Sequence, residues 1–205
     1  MADVIVRTAT IGDAPAMAEV DRQSWPPALA TTAAEFVARM EAYADGQLAA
    51  VFDGRVVGSA AAQRVTEEFL ADNQSSYEPL TDHNRFTHSH TPSGEIYQLI
   101  GVGVVPSFRG RQLGRQLVDF QLNFARSLAG VRRIVGFTRP AGYAQHVAVP
   151  IEEYVRRRGN DGRLLDPVLA FHVDAGAQIV SIHKGFRPAD DDACGYGVLI
   201  EYPLG

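Results

Sequence analysis

The stretch "VVPSFRGRQLGRQLVDF", residues 104–120, concentrates the residue types that could do chemistry in this chain. Arg109, Gly110, Arg111, Gly114 and Arg115 crowd the corner between an apolar run and an amphipathic one. The first N–H groups of a helix lack intrahelical partners, and the helix dipole adds partial positive charge beside them. Glycine lets backbone approach a ligand closely, and arginine brings a full charge with paired donors. Together these suit a phosphate or pyrophosphate. A solvated turn in front of a helix uses the same residues, so the corner has to be read in its surroundings.

Other reactive side chains give weaker signals. His83, His88 and His90 sit in a polar stretch without cysteines or carboxylates at ligand spacing, which reads as surface and implies no metal. Cys194 is the single cysteine; no base neighbours it, so it reads as inert, and it leaves no internal disulfide. Asp190, Asp191 and Asp192 read as a solvated run, and "VRRRG", residues 155–159, as a solvated face. Trp25, before Pro26 and Pro27, reads as the anchor of a first helix in the core; walling a ligand pocket is its other use.

Elements that could position these residues follow from periodicity. "DVIVRTATIGD" reads as a strand from Asp3, and Asp13 as the cap of a helix carrying Met17, Val20 and Trp25. Phe36, Met40 and Tyr43 are spaced for a second helix ending at Asp45-Gly46. Residues 47–65 read as a hairpin turning at Asp53-Gly54. Residues 66–94 are polar, with few apolar anchors, and imply a lid, a small added helix or a mobile loop. "EIYQLIGVGVV" is nearly continuous in apolar residues, as a central covered strand would be. Behind the corner, Leu113, Leu117, Phe120, Phe124 and Leu128 form one helical stripe that Gly130 closes. "VRRIVGF" is a strand, and residues 138–166 are a second insertion with a short helix near "IEEYVRRRG". Asp166-Pro167 opens a helix stopped by Gly176, and "AQIVSIHKG" and "YGVLIEYPL" are the last strands.

With 205 residues, 46% of them hydrophobic and 21% charged, the chain suits one globular domain with a real core. A net charge of −5 argues against nucleic acid, although a local basic pocket could still hold a small anion. The start carries Asp3 and Arg7 inside a short apolar run, unlike a signal peptide, and no run is long enough to span a membrane. The expected location is cytoplasmic.

The order of elements and the corner resemble the GNAT superfamily of acyl-CoA-dependent acyltransferases. Its pattern V-x-P-x-x-[Q/R]-G-x-G-x-G aligns with Val104 to Gly114, with Gln112 where the family usually has glycine. The resemblance implies an α/β GNAT fold over residues 1–205, interrupted by insertions at 66–94 and 138–166. Its sheet would be mixed, mostly antiparallel, of about seven strands, splayed at the centre, with helices on both faces. It further implies acetyl-CoA or another acyl-CoA as the cofactor, or an acyl phosphopantetheine on a carrier protein. Residues Arg109, Gly110, Arg111, Gln112, Leu113, Gly114 and Arg115 would hold the pyrophosphate. Val102 and Val104 would line the pantetheine arm, the Val104 backbone meeting the thioester carbonyl.

In many such enzymes a tyrosine four residues before a glycine protonates the departing thiolate; His172 stands there, before Gly176. More narrowly, residues 166–202 resemble GNAT-like loading domains of polyketide synthases, some of which decarboxylate malonyl-type thioesters. Thr138, His172 and Arg187 fill the places of that family's threonine, histidine and arginine. On this resemblance Thr138 and His172 would hold an enolate oxygen, and Arg187 would orient the carboxylate. A hydrogen-bonded place in a helix interface for His172, a strand-end cap for Thr138, and pairing with the Asp190–Asp192 run for Arg187 are the structural uses of the same residues. The implied functions are acyl transfer to a small acceptor, then decarboxylation of a malonyl or methylmalonyl thioester, then a non-catalytic module binding coenzyme A or a carrier protein.

Overall fold

The computed structural model describes residues 4–205. Asp3, which the sequence places at the start of the first strand, lies outside them. The strands are β1 Ile5–Thr8, β2 Gln47–Phe52, β3 Arg55–Val65, β4 Ile96–Val104, β5 Arg133–Thr138, β6 Gln178–His183 and β7 Gly197–Tyr202. They form one sheet in the order β1-β2-β3-β4-β5-β7-β6, antiparallel throughout except where β4 meets β5. The helices are α1 Ala14–Ser24, α2 Ala33–Tyr43, α3 Glu67–Asn73, α4 Tyr77–Leu80, α5 Leu113–Ser127, α6 Ile151–Tyr154 and α7 Pro167–Asp174. No helix among the described residues is long and apolar enough to cross a membrane.

The parallel seam is short. β4 and β5 pair only from Ile96–Arg133 to Leu99–Gly136, and beyond that point they part. On its other edge β4 stays paired with β3, but there the register shifts: Ala62 faces Leu99 and Ala61 faces Gly101, leaving Ile100 as an extra residue. An extra residue bends its strand and increases its twist. The bulge therefore coincides with the point where β4 leaves β5. The expected central splay is present.

Several local expectations change. Asp13 precedes α1 but does not cap it, because its carboxylate accepts from the Arg7 guanidinium at 2.8 and 2.9 Å and from the Thr10 N–H at 2.7 Å. Those contacts close a single 3-10 turn at Ile11–Asp13, which ends the first strand early. Along α5 the buried side is Leu113, Leu117, Val118, Leu122 and Ala125, while Phe120 is exposed. The broad face packed on the sheet is rotated by part of a turn from the aromatic stripe.

Residues 66–94 carry α3 and α4 and are well anchored. Leu70, Tyr77, Leu80 and Phe86 are buried, and the first three join β4, β5 and β7 side chains in one apolar cluster. Ser89 donates to Gln63 Oε1 at 2.7 Å, and Gln63 in turn donates to the Leu80 carbonyl and to Gln98, each at 2.9 Å. Buried polar groups satisfied this way fix a segment in one place. Its histidines find separate partners: His83 meets Glu78, His88 meets Asp82, and His90 stacks on Tyr43.

Candidate active site

Where β4 and β5 separate, a cavity of about 500 Å³ opens between the half-sheets. Its wall includes Val102 and Val104 from β4, Thr138 from β5, His172 from α7, and Arg187 from the turn after β6. The structure thus brings all three expected catalytic residues into one space. A groove of about 730 Å³ runs from it across the arginine-glycine corner, sharing Val104, Arg109, Gly114 and Phe171 with the cavity.

Local sequence explains the placement of His172. Asp166 Oδ1 accepts from the N–H groups of Val168 and Leu169, both at 3.0 Å, and so caps α7. Its Oδ2 accepts from the Gly142 N–H at 2.8 Å and the Tyr154 hydroxyl at 3.0 Å, which ties residues 138–166 to the same helix start. Pro167 occupies the first turn, where its missing N–H is harmless. The imidazole emerges in the last turn with Nδ1 2.6 Å from Tyr202 Oη. Its ring is reachable from the cavity, yet protein surrounds it, and burial lowers its pKa to about 4. His172 is neutral at neutral pH.

Thr138, 6% exposed, ends β5 opposite Val198. Its Oγ1 is buried and has no hydrogen-bond partner. The expected structural use, a strand cap, would have given it one. Such a hydroxyl is unfavourable in a resting fold unless a ligand completes it.

Arg187 donates from Nη2 to the Leu29 carbonyl at 3.0 Å and lies 3.9 Å above the Tyr77 ring. It does not pair with the aspartate run. Arg139 takes those carboxylates, with Nε 2.6 Å from Asp190 Oδ2 and Nη2 3.1 Å from Asp192 Oδ2. Asp190 is consequently buried, which corrects the solvated reading at that position, while Asp191 and Asp192 are exposed as expected. Among the described residues Arg187 has no carboxylate partner. Trp25 is half-buried and lines the cavity at the end of α1, so its pocket use stands and its role as a core anchor does not.

At the corner the chain makes a 3-10 turn at Pro106–Phe108 and enters α5 through Gln112, whose φ of 59° is left-handed. Gly110 also has positive φ, +77°. Gln112 adopts this left-handed conformation at a disadvantage that glycine would not have. At Gly114, α5 meets α7: a Cβ there would stand 3.5 Å from the Phe171 ring, an ordinary contact distance, so a small side chain would fit. Three arginines then divide. Arg109 lines both cavity and groove and has no ion-pair partner among the described residues. Arg115 is committed to Asp119 at 2.7 Å and to the Asp174 carbonyl at 3.1 Å. Arg111 lies over Phe108, 4.8 Å from the ring centroid, and does not line the groove. The Leu113 side chain is core, so only its backbone is available to a ligand.

The cavity holds residues that motif reading did not reach. Tyr202 had a faint signal, alternation with Val198 and Ile200 on the last strand. Arg139 and Asp21 had none, since only the fold brings them near the cavity.

Comparisons with known proteins agree with the fold. The loading GNATL domain of CurA from Lyngbya majuscula superposes with a TM-score of 0.88 at 27% identity, covering 98% of each chain. The GphF GNAT-like decarboxylase, solved with isobutyryl-CoA, gives a TM-score of 0.86 at 32% identity, covering 98% of this chain and 100% of that one. Among curated relatives, the uncharacterized N-acetyltransferase YkwB of Bacillus subtilis (strain 168) is 24% identical across 96% of this chain and 87% of its own length. The probable hydrolase YhcX of the same organism is 26% identical across 81% of this chain, which spans only 32% of that protein. Residues 14–149 match the acetyltransferase (GNAT) family, and with the seven-stranded splayed sheet in place the chain belongs to that family.

Proposed function

We propose that this chain decarboxylates an acyl thioester bearing a free carboxylate, of the malonyl or methylmalonyl class, presented on coenzyme A or a carrier phosphopantetheine. The observation that carries the reading is the Thr138 hydroxyl, buried in the splayed cavity without a partner. Loss of CO2 moves the electron pair of the breaking C–C bond toward the thioester oxygen, so donors fixed around that oxygen stabilise the transition state. Thr138 Oγ–H and the neutral His172 imidazole are two such donors. With the Tyr202 hydroxyl donating to Nδ1, the ring keeps its proton on Nε2, the nitrogen left for the cavity. Arg187, free of carboxylate partners, would orient the departing carboxylate against Tyr77 and Trp25.

The residues present suit such a thioester. The α5 N-terminus, Arg109 and the positive-φ turn would receive its phosphates, and the cavity's mainly apolar wall its acyl end. Likeness to a GNAT-like decarboxylase at 32% identity supports the reaction class.

Acyl transfer to a small acceptor is the second reading, favoured by the Tyr202–His172 contact, which could relay a proton to a departing thiolate. One experiment separates them: malonyl-CoA and acetyl-CoA are incubated with the protein, with and without amines, following free thiol and CO2. CO2 from malonyl-CoA with the thioester intact supports decarboxylation. Amine-dependent thiol release without CO2 supports transfer. Binding with neither product leaves a non-catalytic module.

A further inference from the structure

Beside the thioester cavity lies a smaller chamber of about 20 Å³, lined by Asp21, Thr31, Arg39, Ser59 and Arg187 among others. Trp25, Tyr77, Gly101 and Arg187 belong to both spaces, so the two share a wall. That volume holds about one water, and the chamber has the several polar partners a buried water needs. Asp21, on α1, is 7% exposed. Oδ2 accepts from the Thr31 N–H at 3.2 Å, and Oδ1 lies 3.4 Å from Ser59 Oγ. Neither arginine forms an ion pair with it. Arg39 instead donates to Asn84, from Nε to the carbonyl at 2.7 Å and from Nη2 to Oδ1 at 2.5 Å. Arg187 donates to the Leu29 carbonyl.

We propose that Asp21, acting through one water in this chamber, delivers the proton to the carbon that loses CO2. The inference rests on the decarboxylation reading. Decarboxylation of a carboxylate consumes a proton: the C–C pair becomes a C–H bond, and CO2 leaves without one. Thr138 and His172 are spoken for at the oxygen. The guanidinium of Arg187 faces both spaces, so a carboxylate held against it sets the α-carbon beside the chamber. A proton passes from the Asp21 carboxyl to the water and from the water to that carbon, and solvent later restores it. Burial raises the Asp21 pKa, opposed by the Thr31 hydrogen bond and the Arg39 charge, so the carboxyl is disposed to hold a proton.

The test is the stereochemistry of protonation. Methylmalonyl-CoA is turned over in D2O, and the configuration of the deuterated propionyl product is determined. A fixed donor on one face gives a single enantiomer from the wild type. Asp21→Asn, nearly isosteric, should release CO2 within about ten-fold of wild type while its product becomes largely racemic. Independently of turnover, an infrared spectrum at neutral pH should show a protonated-carboxyl band that Asp21→Asn removes. CO2 release with a racemic wild-type product, a stereospecific Asp21→Asn, or no such band overturns this inference alone. A wild type that releases no CO2 from any carboxyacyl thioester overturns the decarboxylation reading, and the inference falls with it.

Discussion

Tyr202 Oη lies 2.6 Å from His172 Nδ1, and this contact occupies one of the two imidazole nitrogens. β7 delivers the phenol and α7 the ring, so the pairing depends on how the C-terminal half packs. Tyr202→Phe removes the partner and frees the tautomer. One hydrogen bond of about 1.4 kcal/mol corresponds to a ten-fold fall in turnover, with thioester binding unchanged. Single-turnover rates and a binding isotherm check both halves of that expectation.

Thr138→Val separates stability from function. Its hydroxyl is buried and unpaired, so removing it should leave the melting temperature unchanged or raise it. CO2 release should fall by ~10²–10³, the usual loss for one donor at a developing oxyanion. A large drop in melting temperature would mean that the hydroxyl has a structural partner.

Arg187→Ala should discriminate between substrates. It should slow turnover of malonyl thioesters by ~10–100-fold, in line with a charge-assisted contact, and leave the affinity for acetyl-CoA within a few-fold. Equal effects on both thioesters would reduce Arg187 to its contacts with Leu29 and Tyr77.

At the corner, Arg109→Ala should weaken coenzyme A binding by about ten-fold, and Arg111→Ala by much less, because Arg111 lies over Phe108. Gln112→Gly should raise stability by roughly 1 kcal/mol, since glycine adopts positive φ without strain. Calorimetric titration and thermal melts read the two effects.

Stability should fall in acid in a way traceable to His172. The unfolded imidazole binds its proton near 6.5, the folded one only near 4, because burial disfavours the charge. Above 6.5 both states are neutral and the contribution is complete. Between 6.5 and 4 only the unfolded chain gains a proton, so stability declines, by roughly 3 kcal/mol at the limit. His90, half-buried and also lowered to about 4, chiefly by burial, adds a smaller share over the same interval. Urea unfolding across that range should show the slope, and His172→Gln should flatten it.

The corner and the order of elements along the chain were legible because each rests on a local pattern: Gly110 marks a turn and Asp166-Pro167 a helix start. The grouping of Thr138, His172 and Arg187 was legible only through the family resemblance, since no local pattern links three residues so far apart in sequence. For residues 66–94 the added helix was among the uses legible in the sequence, but the anchoring was not, since Leu70, Tyr77, Leu80 and Phe86 are too sparse to show a period yet each is buried. The partner of the aspartate run was equally hidden. Nothing near Asp190 in sequence distinguishes Arg139 from Arg187, and only the pairing of β5 with β7 brings Arg139 close enough. Asp21 looks like an ordinary polar position until α1 is laid on β3.

The extra residue at Ile100 has one more consequence. Past Leu99 and Gly136, β4 and β5 each keep an outer neighbour and turn a bare inner edge toward the gap. Unpaired strand edges on a protein surface recruit other chains and are usually blunted by charge or by a covering loop. Here the two edges face each other across the cavity, walled by α7 and Tyr77. A slender extended molecule with its own amide groups can reach them there. The irregularity that breaks the sheet thereby sets a size limit on what may complete it.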